Sequence, residues 1–145
     1  MYSEKYQRQT AIGSAEKALD PNLTDHELAA FARSPEAKVR ATVAERPTTP
    51  LTALLKLLED EAPAVRAGLA RNPRPDMPED VYMILAQDKA PEVVHALLKN
   101  RAVPDKIIAK LARSRHKDYV VAARARLAEK GTKAKVLGMV GIASS

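Results

Sequence analysis

The chain has 145 residues and a formal charge of +6, from 24 Lys and Arg against 18 Asp and Glu. With no Cys it excludes disulfides, thiolate catalysis, Cys-ligated zinc and iron–sulfur clusters. Its 46% apolar and 29% charged residues suit a folded chain of about one domain, not a disordered one.

Residues 1–20 read as an N-terminal helical cap, in which Ala11, Ile12, Ala15, Ala18 and Leu19 form an apolar face before Asp20-Pro21 ends it. Met1–Arg8 lacks the apolar run of a secretory signal, and no apolar stretch nears the ~18–20 residues that cross a bilayer. A cytoplasmic protein without a membrane span is therefore the expectation.

From residue 21 onward the chain repeats itself. Thr24, Pro50, Pro78 and Pro104 serve as anchors, spaced 26, 28 and 26 residues apart. Four places beyond them stand Leu28, Leu54, Tyr82 and Ile108; seven beyond, Phe31, Leu57, Leu85 and Leu111. Eight beyond are Ala32, Leu58, Ala86 and Ala112, and ten beyond are Ser34, Asp60, Asp88 and Ser114. Offset 15 holds Val39, Val65, Val93 and Tyr119, and offset 19 holds Val43, Leu69, Leu97 and Ala123. Offsets 4, 7 and 8 predict one amphipathic helix, and 15 and 19 a second.

The boundaries have chemical causes. Thr24 with Glu27 has the capping-box spacing, and an anchor Pro suits a first helical position. The Ser/Asp column at offset 10 can end one helix and cap the next, while Arg46-Pro47 and Asn72-Pro73 close their units. About 26 residues cannot bury two apolar stripes alone, so the units must stack. The predicted fold is all-α, a right-handed α-solenoid of about four helix-pair repeats. The repeats run over about 21–46, 47–72, 73–100 and 101–128 in one domain of residues 1–130, followed by a basic, then apolar tail over 131–145.

Leu57-Leu58-Glu59-Asp60, running into Val65-Arg66-Ala67-Gly68-Leu69-Ala70-Arg71-Asn72-Pro73, resembles HEAT-like repeats, and more nearly the bacterial variant leucine-rich repeat. Val39 to Pro50 matches the same pattern, and the resemblance spans roughly residues 20–128. It departs where Val94 and Val120 replace Arg40 and Arg66, and where Arg101 replaces the closing Pro. The resemblance implies a bacterial or phage α-solenoid used as a binding scaffold, with a second element that can be a short 3₁₀ helix. It also implies that Asp60 pairs with Arg40 or Arg66 in a ladder that holds neighbouring units in register.

Nothing in the sequence assembles a reaction centre. His26, His95 and His116 lie in different units without ligand-spaced partners, and no phosphate loop, HExxH or GxSxG motif occurs. DNA glycosylases of HEAT-like fold are similar in architecture only. The expectation is a non-catalytic chain with no cofactor and no metal.

Charge is unevenly placed. Residues 1–72 balance at zero, residues 73–98 sum to −3, and residues 99–145 sum to +9. Lys106, Lys110, Arg113, Arg115, His116, Lys117, Arg124, Lys133 and Lys135 are the candidates for contact with an anionic partner. Two readings follow: a protein-interaction module working through the repeat surface, or sequence-nonspecific DNA binding through the basic C-terminal end.

Overall fold

The computed structural model describes residues 16–144, with side chains described as far as Gly131. Among these residues there are eight helices and no strand. They are α1 (Asp25–Phe31), α2 (Ala37–Glu45), α3 (Leu51–Leu57), α4 (Pro63–Arg71), α5 (Glu79–Ala86), α6 (Pro91–Lys99), α7 (Asp105–Leu111) and α8 (Lys117–Ser144). The chain is all-α and built of helix pairs. The chain divides into two compact units, Met1–Ala102 and Val103–Ser145.

In the first unit α2, α4 and α6 lie side by side as one layer, and α1, α3 and α5 each pack on the second helix of their own pair. The columns at offsets 4, 15 and 19 supply the core: Leu28, Leu54, Tyr82, Val39, Val65, Val93, Val43, Leu69 and Leu97 are all buried. Offset 8 lies nearer the margin, for Leu58 and Ala86 are only half-buried. Offset 3 takes its place, with Ala53 and Val81 buried. In the first pair that position is Glu27, whose carboxylate caps instead. Thr24 Oγ1 accepts from the Glu27 N–H at 3.2 Å, and the Glu27 carboxylate accepts from the Thr24 N–H in return.

The turns differ from expectation in one respect. Pro50, Pro78 and Pro104 stand one residue before their helices, with extended ψ near 140–148°, so they are caps and not first helical residues. That placement still needs no N–H from proline, and it lets the Pro50 carbonyl accept from the Ala53 and Leu54 N–H groups. Pro63 and Pro91 occupy true first-turn positions. The second element of each pair is α-helical throughout.

The N-terminal cap expected over residues 1–20 lies outside the described residues up to position 15. Residues 16–20 take the register of a unit's end: Ala18-Leu19-Asp20-Pro21 aligns with Ala44-Glu45-Arg46-Pro47 and Ala70-Arg71-Asn72-Pro73. Ala18 is accordingly fully buried, like Ala44 and Ala70. Leu19, expected on the apolar face, is 70% exposed because its position corresponds to the outward Glu45 and Arg71.

In the second unit α7 packs against α8, burying Ile107, Ile108, Leu111, Tyr119 and Ala123. The tail expected from residue 131 is part of α8, which runs unbroken for 28 residues. Lack of the closing proline is not enough to continue a helix, since α6 ends at Lys99 ahead of Asn100-Arg101. In α8 the run Ala122-Ala123-Arg124-Ala125-Arg126-Leu127-Ala128 is of strong helix formers and carries the helix on through Gly131.

One glycine is required by packing. A Cβ on Gly68 would meet the Ala41 carbonyl oxygen of α2 at 2.7 Å, so α2 and α4 approach too closely for a methyl group. Gly68→Ala is therefore expected to destabilise the protein by about 1–3 kcal/mol through overpacking, although Ala is the better helix former by about 1 kcal/mol. Urea unfolding followed by circular dichroism measures the difference.

Candidate functional site

The offset-10 side chain accepts from the backbone N–H two residues later in all four pairs. Glu36 N–H donates to Ser34 at 3.2 Å, Ala62 N–H to Asp60 at 2.9 Å, Ala90 N–H to Asp88 at 2.9 Å and His116 N–H to Ser114 at 3.1 Å. A short oxygen-bearing side chain is needed because only its reach matches that N–H. Glu36, Ala62 and Ala90, the residues at the caps themselves, make no side-chain capping bond.

Two of these turns also carry an ion pair between units. Arg40 places Nε and Nη2 on the two Asp60 carboxylate oxygens at 2.8 and 3.1 Å, and its Nη1 on the Ser34 carbonyl at 2.8 Å. Arg66 repeats the fork on Asp88 at 2.7 and 3.1 Å, and donates through Nη1 to the Asp60 carbonyl at 2.7 Å. Asp60 thus meets both arginines, one through its carboxylate and one through its backbone. One position on, both chemistries change: Val94 replaces the Arg and is fully buried, and Ser114 replaces the Asp.

The acidic groups feel two opposing influences. Burial pushes the Asp60 carboxyl upward, yet the Arg40 guanidinium and the Ala62 N–H outweigh it, leaving the group below the ordinary carboxylate value. Asp88 is likewise raised by burial and lowered on balance by Arg66 and the Ala90 N–H. Arg40 and Arg66 are raised, first by their hydrogen bonds to these carboxylates.

A second ladder runs at offset 22, which sequence reading treats only as a place where units close. The buried Asn72 amide donates to the Ala44 and Arg46 carbonyls at 2.9 and 3.0 Å. Asn100 does the same to the Ala70 and Asn72 carbonyls at 2.9 and 2.8 Å. Arg46 reaches the Ala18 carbonyl, and in the second unit Arg126 reaches the Val103 carbonyl, each at 2.8 Å. The column Arg46, Asn72, Asn100, Arg126 was visible in the repeat register; its signal was hydrogen-bonding capacity instead of hydrophobicity.

Two charged surfaces stand out among the groups these ladders leave exposed. On the layer of second helices in the first unit, offsets 14 and 21 point outward. They carry Lys38, Ala64 and Glu92 in one row and Glu45, Arg71 and Lys99 in the other, all exposed. At 1.5 Å per residue the rows are about 10 Å apart; between them Ala41, Thr42 and His95 are half-buried, while Ala67 and Ala96 are buried. Arg71 and Glu45 pair at 3.4 Å along their row, half-exposed.

The other surface is the α7–α8 turn. Lys106 and Lys110 are exposed on α7; Arg113, Arg115 and His116 are exposed in the turn; Lys117 and Arg124 are exposed on α8. The His116 ring lies 4.7 Å from that of the buried Tyr119. Lys130, beyond this group, pairs with Asp105 at 2.6 Å. The side chains of Lys133 and Lys135 lie outside the described residues. Among the described residues no cluster of His, Cys, Asp and Glu is arranged to hold a metal ion, and no helix is long and apolar enough to cross a membrane.

Comparison with known proteins gives one similarity: residues 37–62 match the family described as leucine rich repeat variant. That segment is one 26-residue period, from the start of α2 to the cap of α4, and holds the Arg40–Asp60 pair. No curated protein and no solved structure matches.

Arg66→Leu removes the partner of a mostly buried Asp88 and is expected to cost about 1.5–3 kcal/mol in urea unfolding. Acid should also destabilise the fold. Asp60 and Asp88 are depressed in the folded state, so their contribution is present above the unfolded aspartate value of about 3.9 and lost as pH falls through the lower folded values. Thermal melting across pH should show this loss, and the Asp60→Asn/Asp88→Asn double variant should flatten it.

Proposed function

We propose that the chain is a non-catalytic binding scaffold, and that its partner is a protein seated on the second-helix layer of the first unit. The observation that supports this reading is the composition of the outward rows. Lys38, Arg71 and Lys99 are mixed with Glu45 and Glu92 across the two rows, with the small, half-buried Ala41 and Thr42 between them on α2. A surface of mixed charge sets the register and orientation of a protein partner, and small side chains between the rows let its residues approach the helices. Residues 16–102 carry 12 basic and 14 acidic side chains, a balance that gives a polyanion no attraction to this unit. The similarity to the leucine rich repeat variant agrees with a scaffold whose function lies in its surface.

Photo-crosslinking tests it. A benzophenone amino acid at the exposed Ala64 should trap one discrete protein adduct in an extract of the native source. The same probe at Lys56, on an exposed first-helix position, should trap none, and Arg71→Glu/Lys99→Glu should abolish the adduct. Equal trapping from Lys56, or an adduct that survives the double reversal, overturns the reading.

A further inference from the structure

We propose that the α7–α8 turn of the second unit is a separate binding site for the phosphate backbone of nucleic acid, formed by Lys110, Arg113, Arg115, Lys117 and Arg124. The first support is a comparison of equivalent turns. Glu59-Asp60-Glu61, Asp88-Lys89 and Arg113-Ser114-Arg115-His116-Lys117 occupy the same place in their units. The backbone device is the same in each, an offset-10 oxygen accepting from the N–H two residues on. The same turn geometry therefore forms with a charge of −3 or of +3, and the fold itself does not ask for these cations.

The second support is that the cations stand where they oppose local structure. Arg115, His116 and Lys117 enter the N-terminal end of α8, the positive end of the helix dipole, where acidic side chains are favoured and like charge costs stability. Among earlier second helices α2 opens Ala37-Lys38, α4 Pro63-Ala64 and α6 Pro91-Glu92; α8 keeps an acidic residue, Asp118, at that second position but sets Arg115, His116 and Lys117 ahead of it. A charge cluster that the fold disfavours is accounted for by a ligand that needs it.

The third support is the lack of neutralisation. Residues 103–131 carry eight basic against three acidic side chains, and Asp118 is the single acidic residue between Lys106 and Ala128. Lys130 and Arg126 are already bonded, to Asp105 and to the Val103 carbonyl. Arg113, Arg115, Lys117 and Arg124 are exposed and, among the described residues, in no ion pair. Lys117 and Arg124 are seven residues apart, two turns along one face of α8. Lys117 and Arg124 flank the exposed Val121 on one face of α8 and Asp118 is the one carboxylate among the cations, so positive charge dominates what a partner meets, as a repeating phosphate chain requires.

The experiment is fluorescence anisotropy of a short labelled DNA duplex with the full chain, over a salt series from about 50 to 200 mM. Wild type should bind with a log–log salt slope that includes about 0.9 for each phosphate contacted. Arg113→Glu/Arg115→Glu/Lys117→Glu should weaken binding at least about tenfold at the low-salt end and lower the slope by nearly three such contributions. Lys38→Glu/Lys56→Glu/Lys89→Glu, the same charge change in the first unit, should leave affinity within about twofold. The α8 reversal should melt at or above the wild-type temperature, because Glu favours a helix N-terminus. If it fails to fold, Arg113→Gln/Arg115→Gln/Lys117→Gln carries the comparison. No binding at low salt, an unchanged slope in the α8 variant, or equal weakening by the first-unit reversal each overturns the proposal. So does equal competition from acidic phospholipid vesicles or polyglutamate at matched charge.

Discussion

In the first unit the ends of the second helices leave backbone carbonyls that a side chain of the neighbouring pair satisfies, and the rest of that unit depends on this. The carbonyls of Ala44 and Arg46 end a helix with no acceptor role inside it, and the Asn72 amide, a full period later, donates to both. Arg40 ties the Ser34 carbonyl of its own pair to the Asp60 carboxylate of the next. Burying valines and leucines favours stacking but does not set its register, since apolar contact is not directional. Forked arginines and buried amides are directional, so a slipped stack would leave several buried polar groups unpaired.

The two ladders lie at opposite ends of the second helices and divide the work. The Arg–Asp rungs sit at the helix starts and retain some contact with water, so their charged hydrogen bonds respond to pH. The asparagine rungs at the helix ends are buried and uncharged. Gly68 works between the two ends, setting how near α2 and α4 come by the absence of a single methyl group. Close helix packing and ladder geometry are therefore coupled, for a wider spacing would lengthen every rung.

Function is accordingly a matter of what these devices leave over. In the first unit the ladders take most of the interior polar groups, and two outward rows of mixed charge remain. In the second unit the same turn geometry recurs with its charge inverted, which separates a surface property from a folding requirement. Repetition makes that distinction possible, because each turn is a control for the others.

Much of this was legible before the fold was known. The 26-residue period, the helix pairs, the apolar columns and the Thr24 capping box are local or periodic, and backbone sterics with helix geometry dictate them wherever the chain sits. The basic character of the last pair is likewise a property of composition. The tertiary structure decided what periodicity leaves degenerate. It gave Asp60 to the Arg40 fork, 20 residues back, and not to the fork of Arg66, six residues on, which takes Asp88. It turned Leu19 outward, drew Asn72 and Asn100 inward, and carried α8 past Gly131. These depend on which face of a helix meets a neighbour and which backbone groups are left unpaired, and only the packed chain specifies them.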